Sequence, residues 1–497
     1  MLSNIEYVIS SSEDIEEILI ESVRDYFLRE VSEDPDMGNI IGEFLDGFRD
    51  DLYFVVEYPY VDKVYRDSYY HYYAYKHSAY QRDCIRVLIF EKEVKITEFS
   101  NPKKFKKLQD DFLGYFVLRP LRTIIGRSLI NPAAFEDKNV KICLQKSECL
   151  VLGIKLTVQG FPHSSQDSET ITCAETTIWS AMEYFGTRYS DYKPVLPSTI
   201  IKTMERIAVQ RQLPSNGLTM EQISFALKQF GFGTRIYSKE QYGQELFDII
   251  DTYIESGIPV MTGLESDEGS LGHVVVLIGK QYENGVEKFN RIKQRKLTLS
   301  GKSVSYHDIV QLPGKYVVQD DNLAPYQVIT LDRPGAHYDD SASQAYQIDS
   351  IVVPLYPKIY LEAYVAKNLI LQILKDSVLG FQFNNGFVLR CFLASSRSFK
   401  NHIAKSMAIG KDIKGTILVS KMPKFIWVAE IYDKNAYVPF TGEAKGLVVL
   451  DATEANSTSI DTLILAAYPD RAIAIDQNKF ITLEQKLLNY NYYSNLQ

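Results

Sequence analysis

Cysteine is scarce in this chain, with Cys84, Cys143, Cys149, Cys173 and Cys391 as the five thiols in 497 residues. Five scattered cysteines exclude a disulfide framework, and without paired Cys-x-x-Cys spacing they offer no zinc site. A reducing, cytoplasmic compartment is therefore expected. Long apolar runs are also missing, none approaching the ~18 residues of a membrane span, so no membrane span is expected. The first residues, MLSNIEYVISSSEDIEEILIES, lack the basic start, apolar stretch and small-residue cleavage site of a secretory signal. Positive charge is not in excess: 54 Lys and Arg against 63 Asp and Glu give a net charge of −9 and a pI near 5.5. That balance argues against binding nucleic acid by phosphate neutralisation.

The chain has enough residues for more than one hydrophobic core, since single cores stop growing at roughly 250–300 residues. Three segments are expected. Residues 1–149 begin with a helical pattern over 13–31, where Ile15, Ile18, Leu19, Val23 and Tyr26 recur near helical spacing, and continue in β-rich runs such as DLYFVVEY and CIRVLIFE. Residues 150–345 open with the strand-like VLGIKLTVQ and a polar run, FPHSSQDSET, then alternate helical and strand patterns as far as DRPGAHYDDSAS. Residues 346–497 combine a helix carrying Leu361, Val365, Leu369 and Ile373 with the strands FVLRCFL, FIWVAEIY and KGLVVLDAT. Polar junctions are expected near 140–165 and 335–350. The crowded tyrosines between Tyr58 and Tyr80 are expected to lie on an amphipathic strand surface.

The chemistry concentrates at Thr172-Cys173-Ala174-Glu175, because a Thr followed three places later by Glu is a capping box at a helix start. Cys173 then occupies the first helical position, ahead of Ile178, Ala181, Met182 and Phe185, with Gly186 as the expected stop. The positive end of a helix favours a thiolate, the form of cysteine that attacks carbonyl carbon. The other four cysteines read as small buried apolar groups. Trp179, on the same helix, is expected in the core.

A nucleophilic cysteine needs a base, and the chain has seven histidines. His273 stands out in Leu271-Gly272-His273-Val274-Val275-Val276-Leu277-Ile278-Gly279, at the mouth of an apolar strand that would hold its ring rigidly at a cleft. A carboxylate at a neighbouring strand end would orient that ring. KYVVQDDN supplies Asp320 and Asp321, of which Asp320 is preferred because it ends the strand, although alternation leaves both open. Cys173 and His273 are expected within about 4 Å of each other.

This order of Cys173, His273 and Asp320 behind a capped helix resembles the papain-like cysteine peptidases. Within them it looks closest to the bacterial double-glycine leader peptidase-like, bacteriocin-processing domains. Tyr184-Phe185-Gly186 is similar to the end of their cysteine helix. LTMEQISFALKQFGFG at 218–233 is similar to their helix ending in Gly-Phe, and Gly257-Ile258-Pro259-Val260 to their Gly-x-Pro-Val strand. Where that family has Asp-Cys-Gly, this chain has Thr172-Cys173-Ala174. The resemblance covers residues 150–345 and implies an α+β fold: a papain-like cysteine peptidase module flanked by N- and C-terminal α+β domains. It implies a cysteine peptidase acting on a protein or peptide substrate at a peptide or isopeptide bond, with no cofactor and no metal. It also implies an oxyanion-binding glutamine before the cysteine. Gln166, seven residues upstream, is the candidate, with a one-residue bulge, and Gln159 is the more distant choice. Transglutaminase-like acyl transfer uses the same residue order, and a catalytically silent interaction protein could retain it. Arg66, Arg119, Arg122 and Arg127 are expected to hold structure rather than bind an acidic segment.

Overall fold

Five strands meander across the N-terminal sheet in sequence order: Glu6–Ser11, Tyr53–Tyr60, Cys84–Phe90, Phe112–Leu118 and Ile125–Ile130. The computed structural model describes residues 5–136, 139–209, 211–215, 217–266, 272–281, 294–299, 302–308, 314–380, 386–434, 437, 442–476, 479–483, 486–487 and 489–497. Register places Ile9, Val55, Leu88, Tyr115 and Leu129 in one row across the five strands. The hairpin Gln145–Val151/Ile154–Gly160 buries Val151, Ile154, Leu156 and Val158 against that same apolar cluster. Leu152 and Gly153 both have positive φ, 47° and 84°, the backbone that a two-residue hairpin turn needs.

The fold mixes α and β with several sheets, in keeping with the expected α+β class. Its compact units do not follow the expected segment boundaries. One unit comprises Met1–Gly231, Met261–Gln281 and Tyr316–Val352, and the other comprises Phe232–Val260, Tyr282–Lys315 and Val353–Gln497. The boundary expected near 150 falls inside the hairpin that completes the N-terminal core. The short strand His163–Ser164, from the polar run read as a junction, pairs with Ile125–Ile130 and extends the first sheet. Local polarity marked this segment as a linker, whereas its backbone groups are used in a sheet.

The second sheet of the first unit carries the site. Its strands run in the order Gln347–Val353, Val260–Glu265, His273–Gln281, Lys315–Gln319 and Gln327–Ile329, and Val140–Ile142 pairs with the far end of His273–Gln281. The helix Cys173–Arg188 packs beside the histidine strand, where the Thr177 hydroxyl donates to the Val274 carbonyl at 3.4 Å. Trp179 is buried, as expected. Leu271, expected at the strand entry, lies outside the described residues.

Two local expectations are corrected. The cysteine helix does not stop at Gly186 but continues to Arg188. A β-carbon on Gly186 would lie 2.3 Å from the Pro194 nitrogen, so this glycine admits a crossing chain rather than capping the helix. The tyrosine-rich stretch is also not one strand surface. Beyond the strand Tyr53–Tyr60 it forms the helix Lys63–His71, because the Asp62 carboxylate caps the N–H groups of Val64 at 3.0 Å and Tyr65 at 2.8 Å.

The second unit is built on a sheet whose strands follow the order Arg295–Leu299, Lys302–Asp308, Phe387–Ser395, Phe425–Asp433, Gly446–Asp451, Leu463–Ala467, Ala472–Asp476 and Lys479–Leu483. Phe399, Ile403, Ile413 and Ile417 from two helices cover Val388, Phe392 and Val428. Inside it, the buried Arg390 guanidinium bonds Glu255 at 2.9 Å, Glu430 at 2.8 Å and the Tyr493 carbonyl at 2.7 Å. Among the described residues, no helix is long and apolar enough to cross a membrane.

Candidate active site

The segment before Cys173 is shaped by Asp167, whose carboxylate accepts the N–H groups of Glu169 at 2.9 Å, Thr170 at 2.6 Å and Ile171 at 2.9 Å. Thr172 and Glu175 then form the expected capping box. The Thr172 N–H donates to the Glu175 carboxylate at 3.2 Å, the Thr172 hydroxyl donates to the same group, and Ser215 donates to its other oxygen at 2.7 Å. These bonds start the helix at Cys173 and leave its thiol partly exposed. Cys84, Cys143 and Cys391 are buried, and Cys149 is partly exposed. Burial pushes the Cys84 thiol well above its ordinary value, Cys143 and Cys391 to about 12, and Cys149 to about 11.

His273 begins its strand with its ring almost wholly buried. Its Nε2 lies 2.9 Å from Asp320 Oδ1 and 3.8 Å from Asp321 Oδ1. The Tyr346 ring stacks on the imidazole at 6.2 Å between centroids, and Tyr338 presents an edge at 6.4 Å. Burial disfavours the imidazolium. Hydrogen bonds with Asp320 and Cys173, and the charges of Asp320 and Asp321, outweigh burial and raise the His273 pKa well above its ordinary value. Nε2 is the ring nitrogen committed to Asp320.

Asp320 follows the strand Lys315–Gln319 and is completely buried. Besides His273, its Oδ1 accepts the Asn322 N–H at 3.0 Å. Its Oδ2 accepts the Tyr338 hydroxyl and lies 3.5 Å from His337 Nε2. Burial alone would favour the neutral acid, but the bonds from His273, His337 and Tyr338 hold Asp320 well below the usual carboxylate range. The Asp320 carbonyl lies 3.0 Å from Nε2 of His163, a buried ring whose pKa burial lowers to about 4. Asp321 is buried as well, yet neither carboxyl oxygen has a hydrogen-bond partner in another residue. Its pKa is pushed up to about 7, by burial first and by the neighbouring Asp320 charge, against the opposing pull of His273.

Cys173, His273, Asp320 and Asp321 are thus brought together, with Asp320 the closer carboxylate. Gln166 is placed differently: its side-chain amide donates to Asn322 Oδ1, and its carbonyl accepts from Arg119. It lines a cleft of about 330 Å³ together with Ser165, Asp321, Asn322 and Leu323. Gln159 is exposed in the hairpin, opposite Lys146. All four arginines have partners within the fold, with the Arg122 side chain largely exposed. Arg66 pairs with Asp83 at 2.5 Å, Arg122 with Asp34 at 3.6 Å and Arg127 with Asp62, while Arg119 donates to the Thr123 carbonyl at 2.8 Å.

Sequence reasoning missed Tyr338, His337, His163 and Asn322. Tyr338 and His337 lie in GAHYDD, where turn residues suggested only a segment end. Asn322 stood in view beside the two aspartates. His273, Asp320 and Asp321 bring donor atoms within 4.8 Å of one another. The bond between the ring and Asp320 accounts for that closeness without a metal. The chain matches no family model and no curated protein sequence.

Proposed function

We propose that this chain is a papain-like cysteine hydrolase that cleaves a peptide or isopeptide bond through Cys173, His273 and Asp320. The observation that carries this reading is a strand-held imidazole hydrogen-bonded to a buried carboxylate, with the helix that starts at Cys173 packed beside its strand. Cys173 Sγ attacks the carbonyl carbon, His273 gives its proton to the departing amine, and a thioester remains. Water, deprotonated by His273, then attacks the thioester and releases the carboxylic acid and the thiol. Asp320 fixes the ring tautomer and stabilises the imidazolium. The Cys173 backbone N–H, unpaired within the helix at its first position, faces the developing oxyanion. Gln166 joins it only after leaving Asn322.

A comparison of newly formed protein termini in cells expressing the wild type and Cys173→Ala tests the reading. New N-termini that depend on Cys173 support it, and identical termini in the two samples contradict it. Acyl transfer would instead add an amine to a glutaminyl or other acyl peptide, a mass increase visible in the intact product.

A further inference from the structure

Two adjacent carboxyl groups face one imidazole, but their surroundings are opposite. Asp320 collects donors from His273, Asn322, Tyr338 and His337. Asp321, also buried, receives no hydrogen bond from another residue and stands 3.8 Å from the same His273 nitrogen. An acid without donors in a buried place keeps its proton, because a carboxylate there would be neither solvated nor hydrogen-bonded. The mechanism above gives this group no part.

We infer that Asp321 is a second, proton-holding carboxyl of the site: neutral while Asp320 is ionised, it strengthens the His273 imidazolium when it loses its proton, and so sets the upper pH boundary of the Cys173–His273 ion pair. The inference rests on the hydrolase reading only for its catalytic meaning. The titratable groups around Asp321 are His273 on its strand, Asp320 beside it, Glu175 on the cysteine helix and Tyr338 on the GAHYDD segment, with Glu43 on the shared cleft. Glu175 is held by Thr172 and Ser215, and Tyr338 by Asp320. His273 is therefore the group that a change at Asp321 reaches directly. An opposite charge at this range moves a pKa by about 1–3 units. Asp321 is a positioning residue in this account, since it acts on the sulfur only through the imidazole.

The test is the rate of Cys173 alkylation by chloroacetamide against pH, followed by peptide mass, in wild type, Asp321→Asn and Asp321→Glu. The lower limb, where the ion pair forms, should coincide in the wild type and Asp321→Asn. The upper limb, where His273 loses its proton, should fall by about one pH unit or more in Asp321→Asn, and Asp321→Glu should restore it. Coincident upper limbs, or equal movement of both limbs, would overturn the inference. Infrared difference spectra of the wild type with carbon-13-labelled aspartate give a second reading that needs no variant. A protonated-carboxyl C=O band should be present near about pH 6 and gone near about pH 8, and its absence at the lower pH would also overturn the inference. Neither readout requires turnover. A shifted upper limb in a protein that hydrolyses nothing would leave this inference standing and remove the hydrolase reading, and the reverse pattern would do the opposite.

Discussion

Four donors converge on the Asp320 carboxylate, from His273, Asn322, Tyr338 and His337, so its charge and direction are both fixed. Asp320→Ala should lower turnover by about 10²-fold without abolishing it, because nucleophile and base survive while the tautomer is no longer held. Cys173→Ala should abolish it, and steady-state kinetics on one peptide compares the two. Asp321 has a different consequence, for stability. Its folded pKa of about 7 lies above the ordinary value of 3.8, so the native state holds a proton that the unfolded chain releases. The resulting cost is absent below the unfolded value, grows as pH rises toward about 7, and is constant above it. Asp321→Asn should therefore stabilise the protein more at about pH 8 than at about pH 4, by on the order of 2 kcal/mol, read by urea unfolding at the two pH values. An equal change at both would contradict the assignment.

The cysteine helix shows how far an element was legible from its residues. Thr172 and Glu175 announced its start through a local pattern that folding leaves intact, and the structure keeps both partners within hydrogen-bond reach. Its end was misread, because Gly186 is required by the passage of Pro194, a packing event invisible in the helix's own sequence. The same distinction separates Asp320, placed by the end of its own strand, from Tyr338 and His337, which reach it from a later turn. Gly186→Ala should cost about 1–3 kcal/mol, because the crossing backbone must shift. Glu175→Ala should cost about 1–2 kcal/mol through the lost cap and leave the partly buried Ser215 hydroxyl without its acceptor. Chemical denaturation of each variant checks both. Glu175→Ala should also slow Cys173 alkylation, since a frayed first turn no longer holds the thiol against His273.

At the scale of the molecule, the N-terminal sheet and the 145–160 hairpin share one apolar cluster. Polar punctuation near 150 suggested a domain boundary, because sequence pattern reports local exposure and not which sheet a hairpin covers. Cys173 and His273 belong to the same unit as that cluster. A fragment starting at residue 150 would lose Val55, Leu88 and Tyr115 as partners of Leu156 and Val158. Such a fragment should fail to give cooperative thermal unfolding by circular dichroism, whereas a self-folding domain there would give it.

The central claim is that His273 activates Cys173. The most direct measurement is the rate of iodoacetamide labelling at each of the five cysteines at neutral pH, in the wild type and in His273→Ala. The account predicts that Cys173 reacts first in the wild type and slows by about 10-fold or more in the variant, while the partly exposed Cys149 is unchanged. Equal rates at Cys173 in the two proteins, or faster labelling of Cys149 than of Cys173, would contradict it.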